Sequence, residues 1–148
     1  MGVYTGLYYT ASQLAATGTP LPVATHLVLH ENPDPEAILL DGKRLAAAML
    51  DTARRFDSPL ALPVMDLVLE KDIMLRTMGV EPASIPTFHF DSLPDPAALK
   101  KIETMDVLKS PRIKANCESL SVIATSHAAG SPEIPIGMSI GPFSLLTK

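Results

Sequence analysis

The chain has 148 residues, of which 47% are hydrophobic and 19% charged, and its formal net charge is -4. This composition is typical of one globular domain and excludes a disordered chain. No Lys/Arg-rich run and no uncharged apolar stretch of about 18 residues occur, so we expect neither a nucleic-acid partner nor a membrane span. The single cysteine, Cys117, excludes an intramolecular disulfide and favours a cytoplasmic location.

The first element is predicted from a segment rich in Tyr, Thr and Val. Residues 3–10 have the composition of a β-strand, and a long connection containing Gly18 follows them. Three helices are then predicted where a capping residue precedes a proline at the first helical position. These pairs are Asp34-Pro35, Asp95-Pro96 and Ser110-Pro111.

The remaining elements alternate along the chain between helices and apolar strands. An apolar stripe predicts a helix over 35–56, and Gly79 is placed to end another helix. A helical region is expected to break at Ser110-Pro111 and to end near Gly130. In chain order the predicted elements are helix 35–56, strand 60–65, helix 70–78, strand 86–90, helical region 96–128 and strand 134–140.

This alternation predicts an α/β fold with parallel strands and right-handed crossovers. An open doubly wound sheet and a (β/α)₈ TIM barrel both satisfy the pattern. A barrel needs about 250 residues, so four strands make half of one. We therefore predict that residues 1–148 form the N-terminal half of a TIM barrel, with strands in the order 1-2-3-4. Its exposed edges would pair with the C-terminal half of the same barrel or with a second copy.

Three segments resemble the uroporphyrinogen decarboxylase superfamily, and most closely its cobalamin-dependent methyltransferases of the methylcobamide:coenzyme M type. They are MGVYTGL at 1–7, ARRF at 53–56 leading to VMDLVLE at 64–70, and PIGMSIGPFSL at 135–145. The most specific is Gly141-Pro142-Phe143, which is similar to the GPFTL strand end found throughout that superfamily. The order and spacing of the segments also agree over most of the chain.

The resemblance implies an enzyme that moves a methyl group between a corrinoid and a thiol or another acceptor. It also implies a corrinoid protein as partner and a catalytic zinc. The zinc ligands of these enzymes, a His-x-Cys and a later Cys, belong to the C-terminal half and lie outside this chain. The resemblance therefore implies a partial site, and we expect this chain alone to bind no catalytic zinc and to transfer no methyl group.

Two alternatives remain open. Uroporphyrinogen carries eight carboxylates, and a decarboxylase for it needs cationic groups at the mouth of its pocket. Its arginine-rich N-terminal motif has no match here, because the arginines all fall on predicted helices. The other alternative is a half-barrel without catalytic activity. The arginines are Arg44, Arg54, Arg55, Arg76 and Arg112.

Asp66 and Glu70 are the candidate catalytic residues. Asp66 directly follows an apolar strand, and barrel active sites lie where strands end. The resemblance implies that this carboxylate lies at the substrate pocket; the alternative is an Asp that caps the next helix. One helical turn would bring Glu70 to the same rim, although it could instead be a solvated residue paired with Lys71 or Arg76.

Four further residues are candidates for substrate binding. Gly141 follows the last strand, where a glycine lets a ligand approach the backbone, and Ser144 could cap the following helix or bind the ligand. Tyr4 and Tyr8 share one face of the first predicted strand and could shape a cavity, although core packing of tyrosines is more common.

We predict no metal ligands in this chain. His26 and His30 are four residues apart, a spacing that can hold a metal on a helix, but prolines bound their segment and it is not clearly helical. Cys117 lies among apolar positions of a predicted helix and is expected to be a small core residue.

Overall fold

The computed structural model describes residues 3–19 and 21–141. It is 59% helical, and its two strands are short. The helices are α1 (Val3–Thr17), α2 (Thr25–His30), α3 (Pro35–Ile38), α4 (Gly42–Arg55), α5 (Leu69–Met78), α6 (Pro96–Glu103) and α7 (Pro111–Ala128). The strands are β1 (Leu60–Ala61) and β2 (Ile134–Pro135), and 3-10 turns cover Pro82–Thr87 and Val107–Lys109.

The predicted α/β half-barrel is wrong. β1 and β2 form one parallel pair, with Leu60 opposite Ile134 and Ala61 opposite Pro135. They correspond to the second and fourth predicted strands, which the expected order 1-2-3-4 would have separated by a third. The described part of the chain is a mostly helical assembly around this small ladder.

The first predicted strand is the first half of helix α1. Residues 11–16 supply Ala, Gln and Leu, which favour helix, and they extend the same hydrogen-bonded segment to Thr17. The helix ends at Gly18, whose φ of 62° lies in the left-handed region. The helix propensity summed over the fifteen residues of α1 outweighs the strand-favouring composition of residues 3–10.

The third predicted strand, 86–90, is also wrong. Pro86 lies inside the 3-10 turn and lacks the N–H that a sheet ladder needs. The Phe88 carbonyl accepts a hydrogen bond from Lys71 Nζ at 2.7 Å, so a side chain occupies the acceptor that a neighbouring strand would use. Phe88 and Phe90 pack edge-to-face, with ring centroids 5.0 Å apart, against the apolar residues around Leu75 of α5.

The ladder is short for a similar reason. Pro63 has no N–H to donate, and the Leu62 carbonyl accepts a 2.6 Å hydrogen bond from the Thr25 hydroxyl. After Ala61, whose carbonyl accepts from Ile136 N, the chain therefore continues without further pairing. Each strand therefore contributes only two residues to the ladder.

Three predicted helix starts and one predicted helix end are confirmed, but the single helix predicted over 35–56 is wrong, because α3 and α4 are separate helices. The side chains of Asp34, Asp95 and Ser110 each accept a hydrogen bond from a backbone N–H in the first turn of the following helix. Gly79 adopts φ 88° directly after α5, as expected for a residue that closes a helix. Capping depends on local chemistry, which explains why it could be predicted without knowledge of the fold.

Two apolar clusters form the core. The first joins α2, α3, α4, β1 and α7, and Leu45, Met49 and Ile123 are fully buried in it. Gly42 permits the close approach of α4 to α7, because a Cβ there would lie 2.5 Å from Glu118 Cβ. The second cluster surrounds Leu75 on α5. Cys117, expected in the core, is exposed on the outer face of α7.

An ion pair between buried Glu133 and the exposed Arg54 side chain fixes the start of β2 to the end of α4. Glu133 is buried, and its side chain accepts hydrogen bonds from the Ser131 hydroxyl and from Arg54 Nε, the latter at 2.8 Å. The pKa of Glu133 is lowered, chiefly by the Ser131 hydrogen bond and secondly by Arg54, against the opposing effect of burial.

We predict that Glu133 makes stability depend on pH. Because its pKa is lower in the folded state, the carboxylate stabilises the fold above the ordinary glutamate pKa, and this contribution is lost as pH falls through the lowered value. Glu133→Gln should therefore lower the free energy of unfolding at pH 7 and differ less from wild type in acid. Urea denaturation across pH measures this, with exposed Glu103→Gln as control. An equal loss at every pH would show that the charge is irrelevant.

Candidate functional site

The carboxyl ends of β1 and β2 open on one cavity of about 240 Å³. Parallel strands place their following segments at the same edge of a sheet, and here the segments after β1 and β2 bring Asp66, Glu70 and Gly141 together. Asn116 of α7 and Ser139 supply further polar groups. Three of the predicted site residues therefore line one cavity, although Asp66 and Gly141 are 75 positions apart in the chain.

Both oxygens of Asp66 are engaged. Oδ1 accepts a hydrogen bond from Val68 N at 3.0 Å, which orders the turn into α5, and Oδ2 accepts one from the Arg112 guanidinium. The Asp66 side chain is 14% exposed and that of Arg112 is 32% exposed. The N-cap residue of α5 is Val68 and no side chain caps that helix, so the alternative interpretation of Asp66 as the helix cap is wrong. Asp66 orders the turn before α5 and contributes a partly buried, paired carboxylate to the cavity wall.

Glu70 connects α5 to the segment after β2. Its Oε1 accepts a hydrogen bond from Ile140 N at 3.2 Å. The alternative pairing with Lys71 or Arg76 is not observed: Lys71 is buried and bonds the Phe88 carbonyl, whereas Arg76 pairs with Asp72 at 2.8 Å. Glu70 therefore holds the backbone beside Gly141 in place, and its side chain lines the cavity.

Arg112 and Asn116 were missed as site residues by sequence reasoning. They lie one turn apart on α7, and Asn116 Nδ2 donates to the Arg112 carbonyl at 2.9 Å. Arg112 follows the Ser110-Pro111 cap, so its place on a helix was predictable. Its pairing with Asp66, 46 residues away, depends on how α7 crosses the sheet, and nothing in the local sequence signals that crossing.

The other predicted binding residues do not join this cavity. Tyr4 and Tyr8 lie on helix α1, so the argument from one strand face does not apply, and Tyr8 is 78% exposed. Ser144 lies outside the described residues. Tyr9, next to Tyr8, borders a larger cavity of about 740 Å³ at the amino ends of the strands. Three charged residues line that cavity: Asp57, and Arg54 and Glu133, which are paired with each other.

The described residues do not provide a catalytic zinc site. Within 3–19 and 21–141, no three His, Cys, Asp or Glu side chains converge as metal ligands. A catalytic zinc takes about three protein ligands and one open position. The cavity residues therefore do not fit a zinc ion, and no step of a reaction can be assigned to one here.

Comparisons with family models, with curated proteins and with solved structures find no match for this chain. Among the helices of the described residues, none has the length and apolar character needed to cross a bilayer.

We predict that Asp66 and Arg112 are energetically coupled. Removing one partner leaves the other charge partly buried, so Asp66→Asn and Arg112→Met should each lower the free energy of unfolding. The double variant should lose less free energy of unfolding than the two single variants lose together. A coupling energy of about 1 to 2 kcal/mol is expected from urea denaturation of the four proteins. The exposed Asp51–Arg55 pair on α4 is the matched control and should show a smaller coupling. Equal coupling energies in the double-mutant cycles of the Asp66–Arg112 and Asp51–Arg55 pairs would contradict this prediction.

Proposed function

We propose that this chain provides the substrate cavity of a corrinoid-dependent methyltransferase. The observation that carries the proposal is the meeting of two segments in space. Most of residues 64–70, and residues 138–141 of the second segment, belong to the stretches that resemble those methyltransferases, and they line one cavity, here called the Asp66–Gly141 cavity. Both segments that carry the resemblance thus contribute polar side chains to the same cavity.

The size of the cavity favours methyl transfer over decarboxylation. Pockets that enclose drug-sized ligands measure about 300–1,000 Å³, and a tetrapyrrole is at least that large. A cavity of about 240 Å³ accepts a small methyl acceptor but does not enclose a porphyrinogen or a corrin. In methyl transfer only the acceptor has to enter, because a corrin bound to its own protein can present its methyl group at the mouth.

The mouth of the cavity suits a flat apolar ring face. Met65, Leu67 and Met138 line it and are 52%, 44% and 41% exposed. Exposed apolar side chains that cluster around a cavity are typical of binding surfaces. A methionine side chain is flexible and adapts its shape to a partner, which supports contact with a large ring face.

The charges also oppose the decarboxylase alternative. Arg112 is paired with Asp66, which lines the cavity, so its guanidinium is not free to bind the carboxylates of uroporphyrinogen. Glu70 adds a negative charge beside Gly141. A neutral or cationic acceptor is therefore favoured over an anionic one.

In this proposal the corrinoid supplies the methyl group, and the chain's own residues hold the acceptor. Asp66 and Arg112 fix the turn that enters α5, and Glu70 fixes the backbone beside Gly141, so that the cavity walls are ordered before the acceptor arrives. The metal that would activate a thiol has no ligand set among the described residues. Without such a metal we expect this chain alone to bind both substrates and to turn over neither.

Binding of methylcobalamin at the mouth tests the proposal directly. Burying Met65 against the ring should contribute about 1.5 kcal/mol or more, so Met65→Lys should weaken methylcobalamin binding by about tenfold. Leu93→Lys is the control, because Leu93 is 94% exposed and does not line the cavity. Equilibrium dialysis of the two variants and wild type gives the affinities. Absence of methylcobalamin binding, or tight binding of uroporphyrin instead, would overturn the methyltransferase assignment.

Two thiols that differ in charge test the acceptor cavity. We expect 2-mercaptoethanol to shift the backbone NMR signals of Ile140 and Gly141, and the anionic 2-mercaptoethanesulfonate to bind at least about tenfold more weakly because of Glu70. Glu70→Gln should reduce this difference. Asp72→Asn, on the same helix but away from the cavity, should leave it unchanged. Equal binding of both thiols by the wild type would show that the cavity does not select by charge.

A further inference from the structure

Helix α2 carries two histidines on one exposed face. His26 and His30 are four residues apart within Thr25–His30, and their ring centroids are 6.3 Å apart. Both residues are exposed. The prolines around this segment made a helix uncertain from sequence, but the structure places them outside α2, so the spacing that a helical metal pair requires is present.

The surroundings of α2 keep this face in position. Thr25 is buried, and its hydroxyl donates to the Leu62 carbonyl at 2.6 Å. Val28 and Leu29 are buried on the opposite side of the helix. Because three of its six residues are anchored, α2 holds the Cα atoms of His26 and His30 at fixed positions while the exposed rings remain free to rotate.

We propose that His26 and His30 form a two-ligand surface site for a divalent late transition metal ion, with Cu²⁺ preferred over Zn²⁺. Histidines at positions i and i+4 of a helix present their imidazoles to one ion, a spacing that helical zinc sites use. Water completes the coordination shell, which suits the tetragonal N,O geometry of Cu²⁺ better than a zinc site that wants a third protein ligand. This site is independent of the Asp66–Gly141 cavity and of the proposed function.

Calorimetric titration with Cu²⁺ and with Zn²⁺ tests the site on N-terminally acetylated protein, which removes the α-amino group as a competing ligand. One Cu²⁺ per chain is expected, bound more tightly than Zn²⁺. His26→Gln and His30→Gln should each weaken Cu²⁺ binding by at least about tenfold, because each removes the second, intramolecular ligand. His89→Gln is the control, since His89 is exposed on a different segment and should not affect binding.

Electron paramagnetic resonance of the Cu²⁺ complex provides a second measurement. Two imidazole nitrogens are expected in the wild type and one in each single variant. Circular dichroism and thermal melting establish that the variants remain folded. A Cu²⁺ affinity that is unchanged by the loss of either histidine, a spectrum with a single nitrogen in the wild type, or equal effects of His89→Gln and His30→Gln would overturn the proposal.

Discussion

The packing of α4 against α7 is the constraint on which the rest of the structure depends. Gly42 at the start of α4 lets the two helices approach so closely that a Cβ would meet Glu118. Along the contact, Leu45, Met49 and Ile123 are fully buried and cover Ala61 of β1. β2 follows α7 directly, so the helix pair also decides where β2 meets β1. The cavity at the carboxyl ends of the strands exists because this packing aligns two segments that are far apart in sequence.

The sequence predicted those features that depend on neighbours along the chain. Asp34, Asp95 and Ser110 cap helices as expected, and Gly79 ends α5, since each of these roles requires only the chemistry of a few adjacent residues. The first strand prediction failed because α1 covers that segment, whereas the second strand is shorter than predicted and the third is absent from residues 86–90 because distant groups decide the outcome. The Lys71 side chain donates a hydrogen bond to the Phe88 carbonyl, and the Thr25 hydroxyl donates one to the Leu62 carbonyl. These backbone carbonyls are therefore satisfied by side chains and not by a neighbouring strand.

The candidate site was predictable in part for the same reason. Asp66 and Gly141 each follow an apolar run, and a parallel pair of strands is enough to bring such positions together, whether or not a barrel surrounds them. Arg112 was not predictable, because its contact with Asp66 depends on the direction in which α7 crosses the ladder. The tyrosines failed as site residues because their placement required the first segment to be a strand, and it is a helix.

The ion pair between Asp66 and Arg112 constrains what the cavity can bind. An unpaired arginine at this position would attract carboxylates or phosphates, and an unpaired aspartate would attract cations. Because each neutralises the other, the cavity charge is set by Glu70, whose Oε1 is held by the backbone of Ile140. Exchanging the Arg112 charge for a neutral side chain would therefore do more than weaken the fold. It would leave two carboxylates on one wall and move the preference of the cavity further toward cations. The charge preference of the cavity and the stability of the fold are thus linked through a single contact, and selection on either would act on the same two residues.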